Sequence, residues 1–117
     1  MKPHQKLNAW IKSFEMVKTL YTLTQTLPSE EKFGIISQIR RASVSVPVNI
    51  AEGSARKSKN EFIHFLHIAL GSLTELDTLI LLCIELEYLE KENGIIIIKE
   101  LDVIGKLLYG LIRKLGE

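Results

Sequence analysis

Repeated cysteines and long apolar runs are both missing from this sequence of 117 residues. Its single cysteine, Cys83, cannot form a disulfide within the chain, which is typical of proteins in a reducing cytoplasm. Its longest apolar run, residues 79–84, is far shorter than the roughly 20 residues that a membrane-spanning helix needs. The first ten residues contain no apolar core of a signal peptide. The sequence therefore predicts a cytoplasmic protein that has no membrane partner.

An excess of charge of one sign is also missing, because fifteen basic and fourteen acidic residues leave a net charge of +1. This balance argues against a protein that binds nucleic acid through its overall charge alone, while a local basic patch stays open. Hydrophobic residues make up 46% of the chain, which is enough to bury a core. The length fits one domain that covers residues 1–117.

Apolar residues recur every three or four positions along four segments, which is the spacing of one helix face. Short connections between such helices make sequential neighbours antiparallel. We therefore expect an all-α fold, an up-down-up-down antiparallel four-helix bundle. The predicted core faces are Leu7, Trp10, Phe14, Val17, Tyr21 and Thr24; Ile36, Ile39, Ser43, Val46 and Ile50; Phe62, Leu66, Ala69, Leu73, Leu76, Ile80 and Cys83; and Ile97, Leu101, Ile104, Leu108, Leu111 and Leu115.

Local signals predict where the helices begin and end. Pro28 ends the first helix, and Ser29 is available as the N-cap of the second. Ser58 and Glu61 form a capping-box pattern before the third helix. Asn93-Gly94 supplies a residue that tolerates positive φ between the third and fourth helices. The isoleucine-rich residues 94–100 favour a strand by composition, but no partner strand exists, so we expect them to begin the fourth helix.

Pro47 lies inside the second periodic segment. Its ring removes one backbone donor and crowds the carbonyl of Ser43, so the helix should kink or break there. The apolar face keeps its spacing across the proline, which favours one kinked helix over two separate ones.

Apolar side chains also lie off the predicted core faces. They are Leu79, Leu81 and Leu82 on the third helix and Ile95, Ile96 and Leu107 on the fourth. A helix that is apolar on several sides is usually buried on several sides, and in a small protein this indicates contacts between subunits. We therefore expect a homo-oligomer.

A polar string in the second and third helices has two interpretations. If these helices run antiparallel, Arg40 and Arg41 lie level with Ser72 and Glu75, and Asn49 lies level with His64; Glu52 can pair with Arg56 one turn on. One interpretation is a structural polar network of Asn49, Glu52, His64, Ser72 and Glu75 that fixes helix register, with Arg40 or Arg41 donating to Glu75. The other is a phosphate-contacting surface formed by Arg40, Arg41, Arg56, Lys57 and Lys59.

These residues resemble the core signature of the 23S rRNA intervening-sequence proteins, a four-helix-bundle, ribosomal-protein-like family. The resemblance covers nearly the whole chain. It is carried by Gln38-Ile39-Arg40-Arg41-Ala42, Pro47, Asn49-Ile50-Ala51-Glu52-Gly53, Ser58, Glu61-Phe62, Ala69-Leu70-Gly71-Ser72-Leu73 and Glu75-Leu76.

The resemblance implies a small bacterial protein of a kind often encoded in insertions within large-subunit rRNA genes. It also implies a homopentameric ring of four-helix bundles. Related accessory proteins of diversity-generating retroelements share that architecture and look like nucleic-acid binders through a basic surface. RNA or DNA is therefore a candidate partner.

Enzymatic function finds little support in the sequence. Glu61 and His64 form one Glu-x-x-His step, but a ferritin-like di-iron site needs two such steps and further glutamates. His64 and His67 share a helix face, while Cys83 lies about 24 Å further along. No nucleophile elbow or phosphate-binding glycine loop is present. We predict no catalytic residues, no metal site and no cofactor.

Three hypotheses follow from the sequence. The first is a non-enzymatic homo-oligomeric bundle that binds RNA or DNA. The second is a scaffold or adaptor ring that binds only proteins. The third is a metal-dependent enzyme.

Overall fold

A computed structural model describes all residues, 1–117, and consists of helices joined by short connections. The four α-helices are α1, Asn8–Thr24; α2, Ile35–Ser54; α3, Lys59–Glu85; and α4, Lys91–Leu115. Two short 3₁₀ helices cover Pro3–Lys6 and Ser29–Glu31. No strand is present, so the predicted all-α, four-helix class is confirmed.

Sequential helices pack against one another, with α2 between α1 and α3, and α3 between α2 and α4. The contacts between α2 and α3 fix their relative direction: Ser72 Oγ donates to Ser45 Oγ at 2.8 Å, while Gly53 faces Phe62. Residue numbers therefore rise along one helix as they fall along the other. The same holds for α3 and α4, where Ile84 packs on Gly94. These antiparallel pairs are compatible with the predicted up-down-up-down order.

The apolar core follows the predicted faces of the last three helices. The predicted residues of α2 are all buried, and so are Leu66 to Cys83 on α3 at the predicted spacing. On α4, Ile97, Leu101, Ile104 and Leu108 are buried as well.

Cys83 is a buried cysteine within this core, and burial raises the pKa of its thiol, with the Glu31 carboxylate adding to the shift.

The predicted core face of α1 is wrong by one position along most of the helix, although Thr24 is buried as predicted. The buried residues of this helix are Ala9, Ser13, Met16, Leu20 and Thr24. Of the aromatic residues predicted to be core, Phe14 and Tyr21 are exposed, Phe14 by 58%, and Trp10 is partly buried against the core. Both stripes have helical spacing, so periodicity alone favours the more apolar one. The tertiary packing selects the other, because small side chains at residues 9 and 13 let α1 approach its neighbours closely.

Two predicted helix boundaries are also wrong. Ser29 begins a short 3₁₀ helix instead of capping α2, which starts at Ile35 with Glu31 Oε1 accepting from the Ile35 amide at 3.3 Å. Asn93 and Gly94 lie inside the first turn of α4 and not in the preceding connection. The positive φ of that connection belongs to Glu87, at 62°. Gly94 is instead a packing residue, because a Cβ there would collide with the side chain of Ile84.

Three other signals agree with the structure. The helix α2 continues without interruption through Pro47, as the spacing of its apolar residues predicted. Ser58 caps α3, with its Oγ accepting from the Glu61 amide at 3.1 Å. The residues 94–100, despite their strand-like composition, are helical.

One helix, α3, is long and apolar enough to cross a membrane by length and composition alone. Core helices of globular proteins meet the same two criteria. This helix packs against both α2 and α4, which bury part of its apolar surface, while Leu81 and Leu82 stay exposed.

The two connections at one end of the bundle are joined by a hydrogen bond between side chains. Tyr88, which precedes α4, donates its hydroxyl to Glu31 Oε2 at 2.9 Å, and Glu31 precedes α2. The bond to the carboxylate raises the pKa of Tyr88, because loss of the phenol proton would place two negative charges side by side. The bond therefore fixes which two connections share this end.

Two glycines on neighbouring helices provide a test of this packing. A Cβ on Gly53 would lie 2.8 Å from both Phe62 and Phe65, whereas a Cβ on Gly71 would meet nothing within 4 Å. We expect Gly53→Ala to lower the free energy of unfolding by about 1–3 kcal/mol through overpacking. Gly71→Ala should raise it by roughly 0.5–1 kcal/mol through helix propensity. Urea denaturation of both variants measures this, and equal effects would mean that α2 and α3 are not in close contact at Gly53.

Candidate functional site

An apolar groove runs along the outer surface between α1 and α2. The aromatic stripe of α1 forms one wall, in which the rings of Trp10 and Phe14 stack with their centroids 4.7 Å apart. The other wall belongs to α2 and centres on Pro47 and Val48, of which Val48 is 48% exposed. The full lining is His4, Trp10, Phe14, Val17, Lys18, Val44, Pro47, Val48 and Ala51. Three side chains that the sequence assigned to the core, Trp10, Phe14 and Val17, therefore line this groove.

Further large apolar residues are exposed on α3 and α4. They include Leu81, Leu82, Ile95 and Ile96, four of the six that the sequence analysis found off the core faces. Of the other two, Leu79 is buried and Leu107 is partly buried. The bundle therefore presents apolar side chains on more than one flank.

Arg40 is a tie between α1 and α2. Its Nε donates to Thr24 Oγ1 at 2.9 Å, and its guanidinium carbon lies 4.6 Å from the centroid of the Tyr21 ring. Thr24 is buried and donates its own hydroxyl to the Tyr21 carbonyl at 3.0 Å. The half-buried Arg40 is therefore engaged by α1 and is poorly placed to contact a phosphate.

Arg41 has no hydrogen bond to α1, although it lines one surface pocket together with Arg40. It also lines a surface pocket with Ser72 and Glu75, so these three residues lie at a similar height along the bundle, as predicted. Neither Arg40 nor Arg41 donates a hydrogen bond to Glu75, so this part of the prediction is wrong. Arg41 and Glu75 are exposed, and an exposed pair gains little from holding two long side chains together.

The polar network between α2 and α3 is smaller than predicted and has a different centre. Asn49 Nδ2 donates to the Ser45 carbonyl at 2.8 Å and to Ser45 Oγ at 2.9 Å, and Ser72 donates to the same Oγ. Ser45, which the sequence analysis did not select, therefore joins the two predicted members. His64 is exposed and forms no hydrogen bond with Asn49. The only sign in the sequence that Ser45 belongs to this network was its small hydroxyl side chain on a helix expected to pack against a neighbour.

The remaining basic candidates lie at the far end of α2 from Arg41. Arg56 pairs with Glu52 at 3.1 Å, as their spacing predicts, and its guanidinium lies 4.8 Å from the Phe65 ring. Lys57, in the turn that follows, and Lys59, the first residue of α3, are both exposed. Fifteen residues of mostly helical chain separate Arg41 from Arg56, a distance of about 22 Å along the axis. The five predicted phosphate contacts therefore do not form one patch.

Potential metal ligands are scattered. No group of three or more His, Cys, Asp or Glu side chains is close enough to hold a metal ion. His64 and His67 are exposed on α3, and the His64 ring packs edge-on against Phe65.

Comparisons with known proteins agree on one family. The family model described as 23S rRNA-intervening sequence protein matches residues 5–110. The chain is also similar to a crystal structure from Bacteroides thetaiotaomicron, described as a protein of unknown function from the S23 ribosomal protein family. The two are 32% identical with a TM-score of 0.82, over 89% of this chain and 97% of the other. No match was found among curated proteins.

The two adjacent arginines of α2 provide a test of the site geometry. Replacing Arg40 with methionine removes the hydrogen bond to Thr24 and the contact with Tyr21. We expect a loss of about 1–3 kcal/mol in the free energy of unfolding, because the buried Thr24 oxygen loses its donor. Arg41→Met is the matched control and should change stability by less than about 0.5 kcal/mol, since Arg41 is exposed. Urea denaturation of both variants measures the difference, and similar values would contradict the assignment of Arg40 as the tie.

Proposed function

The chain belongs to the 23S rRNA-intervening sequence protein family, and from this membership and its surface we propose that it is a non-enzymatic, homo-oligomeric helical bundle that binds RNA or DNA. In this role it is an accessory protein of the bacterial cytoplasm. Its partners are further copies of itself and the phosphate backbone of a nucleic acid.

Exposed apolar side chains along the groove between α1 and α2 are the observation that carries the proposal of a homo-oligomer. Phe14 and Val48 face each other across the groove and are each about half exposed. Full burial of an exposed side chain of this kind contributes roughly 1.5–3 kcal/mol, so completing the burial of a half-exposed one contributes about half of that. A second copy of the chain is the occupant that we propose, because the same chain also exposes apolar residues on α3 and α4 that could fill the groove.

Two different apolar surfaces on one chain favour a closed ring over a symmetric dimer. A head-to-tail contact joins the groove of one copy to the α3–α4 flank of the next, and it closes when the rotation between copies allows. The pentamer is the number of subunits that the family resemblance implies, and it is part of the proposal.

Nucleic-acid binding rests on exposed basic side chains that have no partner within the bundle. Of the five candidates, Arg41, Lys57 and Lys59 are exposed and form no ion pair, whereas Arg56 is paired with Glu52. Unpaired cations release counterions from a nucleic acid when they neutralise phosphates.

A ring that binds only protein partners is the alternative. A metal-dependent enzyme is the third and weakest candidate, since the residues that could bind a metal are dispersed.

The groove can be tested by introducing a charge into it. We expect the unmodified protein to have the mass of an oligomer in solution and Val48→Asp to have the mass of a monomer. The matched control is Thr19→Asp, which adds the same charge to an exposed position of α1 outside the groove. Light scattering coupled to size-exclusion chromatography measures the mass. A monomeric starting protein, or an oligomer that survives Val48→Asp, would contradict the role of the groove.

Nucleic-acid binding can be tested by fluorescence anisotropy with a structured RNA and a DNA duplex. We expect binding at low salt whose affinity falls steeply as salt rises, by about one power of the salt concentration for each phosphate contact. Absence of binding at low salt to both probes would refute the proposed function and leave the protein-binding ring.

A further inference from the structure

The net charge of +1 conceals an uneven distribution along the bundle. One end, which we call the basic end, consists of residues 1–7, 52–61 and 111–117. It carries seven basic and three acidic side chains, all of them exposed. Its basic members are Lys2, Lys6, Arg56, Lys57, Lys59, Arg113 and Lys114.

The opposite end has the reverse composition. This acidic end consists of residues 25–35 and 85–93, which the hydrogen bond between Tyr88 and Glu31 holds together. It carries six acidic and two basic side chains, and all but Glu31 are exposed. The middle of the bundle is nearly balanced, with six basic and five acidic side chains. The two ends therefore differ strongly in charge although the whole chain is almost neutral.

Tertiary structure brings the three segments of the basic end together. Gly53 packs on Phe62, which places the connection from α2 to α3 at this end. His4 lies in the groove with Ala51, so the N-terminal segment is close to the last turn of α2. Residue 105 of α4 is level with Leu73 of α3, and Tyr109 shares a pocket with Leu70. Continued in the same register, Arg113 and Lys114 are level with the first turns of α3.

The distance between the two ends determines what an approaching polyanion encounters. The α3 helix of 27 residues connects them, which corresponds to about 40 Å. The whole molecule is 44 Å along its longest axis. Charges in salt at physiological strength are screened over about 8 Å, so the acidic end does not cancel the field of the basic end. A local basic patch is thus available on a chain whose net charge is near zero.

We infer that the basic end, built from the N-terminal segment, the α2–α3 connection and the end of α4, is the surface that contacts the phosphate backbone of a nucleic acid. The inference rests on the proposed function and narrows it. Of the five residues first predicted to contact phosphate, it retains Arg56, Lys57 and Lys59, and it adds the four basic residues near the two chain termini. It removes Arg40, which is tied to α1, and Arg41, which lies in the middle of the bundle.

The apolar groove supports an end-on arrangement. It lies along the side of α1 and α2, so a second copy packed there leaves the end of the bundle exposed. In an oligomer, several copies could present their basic ends to the same nucleic acid. Several weak contacts would then act together on one nucleic acid, which raises the apparent affinity without a new type of contact.

Three sets of triple variants test the location of the contact. The basic-end set is Lys57→Gln, Arg113→Gln and Lys114→Gln. The matched control removes three exposed charges from the middle of the bundle, through Lys12→Gln, Lys99→Gln and Lys106→Gln. The third set, Glu87→Gln, Glu90→Gln and Glu92→Gln, removes three charges from the acidic end. Anisotropy with the same structured RNA and DNA duplex, at several salt concentrations, measures each affinity.

We expect the basic-end variant to bind at least about tenfold more weakly and to lose about two to three from the slope of log affinity against log salt. The middle variant has the same net charge and should stay within about twofold of the unmodified protein. The acidic-end variant gains three units of net charge and should also stay within about twofold, because the removed charges are distant. Circular dichroism and light scattering confirm that each variant keeps its helices and its mass.

The possible results distinguish an error in the inference from an error in the proposed function. Binding by the unmodified protein with equal losses in the basic-end and middle variants would overturn the inference and leave the function in place. Tighter binding by the acidic-end variant would overturn it too, since net charge would then govern affinity. No binding by the unmodified protein would overturn both.

Discussion

The burial of α3 between α2 and α4 is the constraint on which the rest of this structure depends. Seven residues of α3 are buried, among them Leu66, Leu76 and Ile80, which have almost no exposed surface. Each such side chain contributes roughly 1.5–3 kcal/mol when it leaves water. Glycines allow the close approach of its neighbours, because Gly53 of α2 meets Phe62 and Gly94 of α4 meets Ile84. The positions of both flanking helices follow from this contact.

The orientation of α1 follows from the part of the core that the other three helices leave open. The helix packs with its smaller and non-aromatic residues, Ala9, Ser13, Met16 and Leu20, because these permit close contact with the core. Its aromatic stripe is then only partly covered: Tyr21 contacts Arg40, while Trp10 and Phe14 form one wall of the groove. Arg40 fixes the pairing of α1 and α2 through Thr24. A core that three helices largely complete thus exposes apolar surface on the fourth, which the proposed oligomer would bury.

Charge and apolar surface occupy different parts of the molecule for a related reason. Long helices carry apolar residues on more than one side, so many of the charged residues lie near the helix ends and in the connections. Antiparallel packing groups these termini into two clusters, about 40 Å apart along a bundle of four helices. The sides of the bundle are thereby available for contacts between copies, and one end is available for a polyanion.

Much of this was predictable from residue patterns. The number and order of helices, the core faces of the last three, the continuity of α2 through Pro47, the Ser58 cap and the Glu52–Arg56 pair all depend on residues within a few turns of one another. Other features were not predictable in this way. Two stripes of equal period compete on α1, Ser45 has no periodic signal, and Ser29 and Asn93-Gly94 resemble boundaries that the chain places elsewhere. The partners of Arg40 lie on another helix, and the nearer in sequence, Thr24, is sixteen residues away.

The amino-acid sequence by itself determined the helices and the family, because helical periodicity, capping and an ordered signature are local properties of the chain. Only the tertiary structure decided which face of α1 is buried, which arginine is tied and which charges share an end. Those outcomes depend on contacts between helices that are distant in sequence, and on whether a side chain fits the space that its neighbours leave. The grouping of Lys2, Lys57 and Lys114 at one end of the bundle is a result of antiparallel packing, and no spacing in the sequence encodes it.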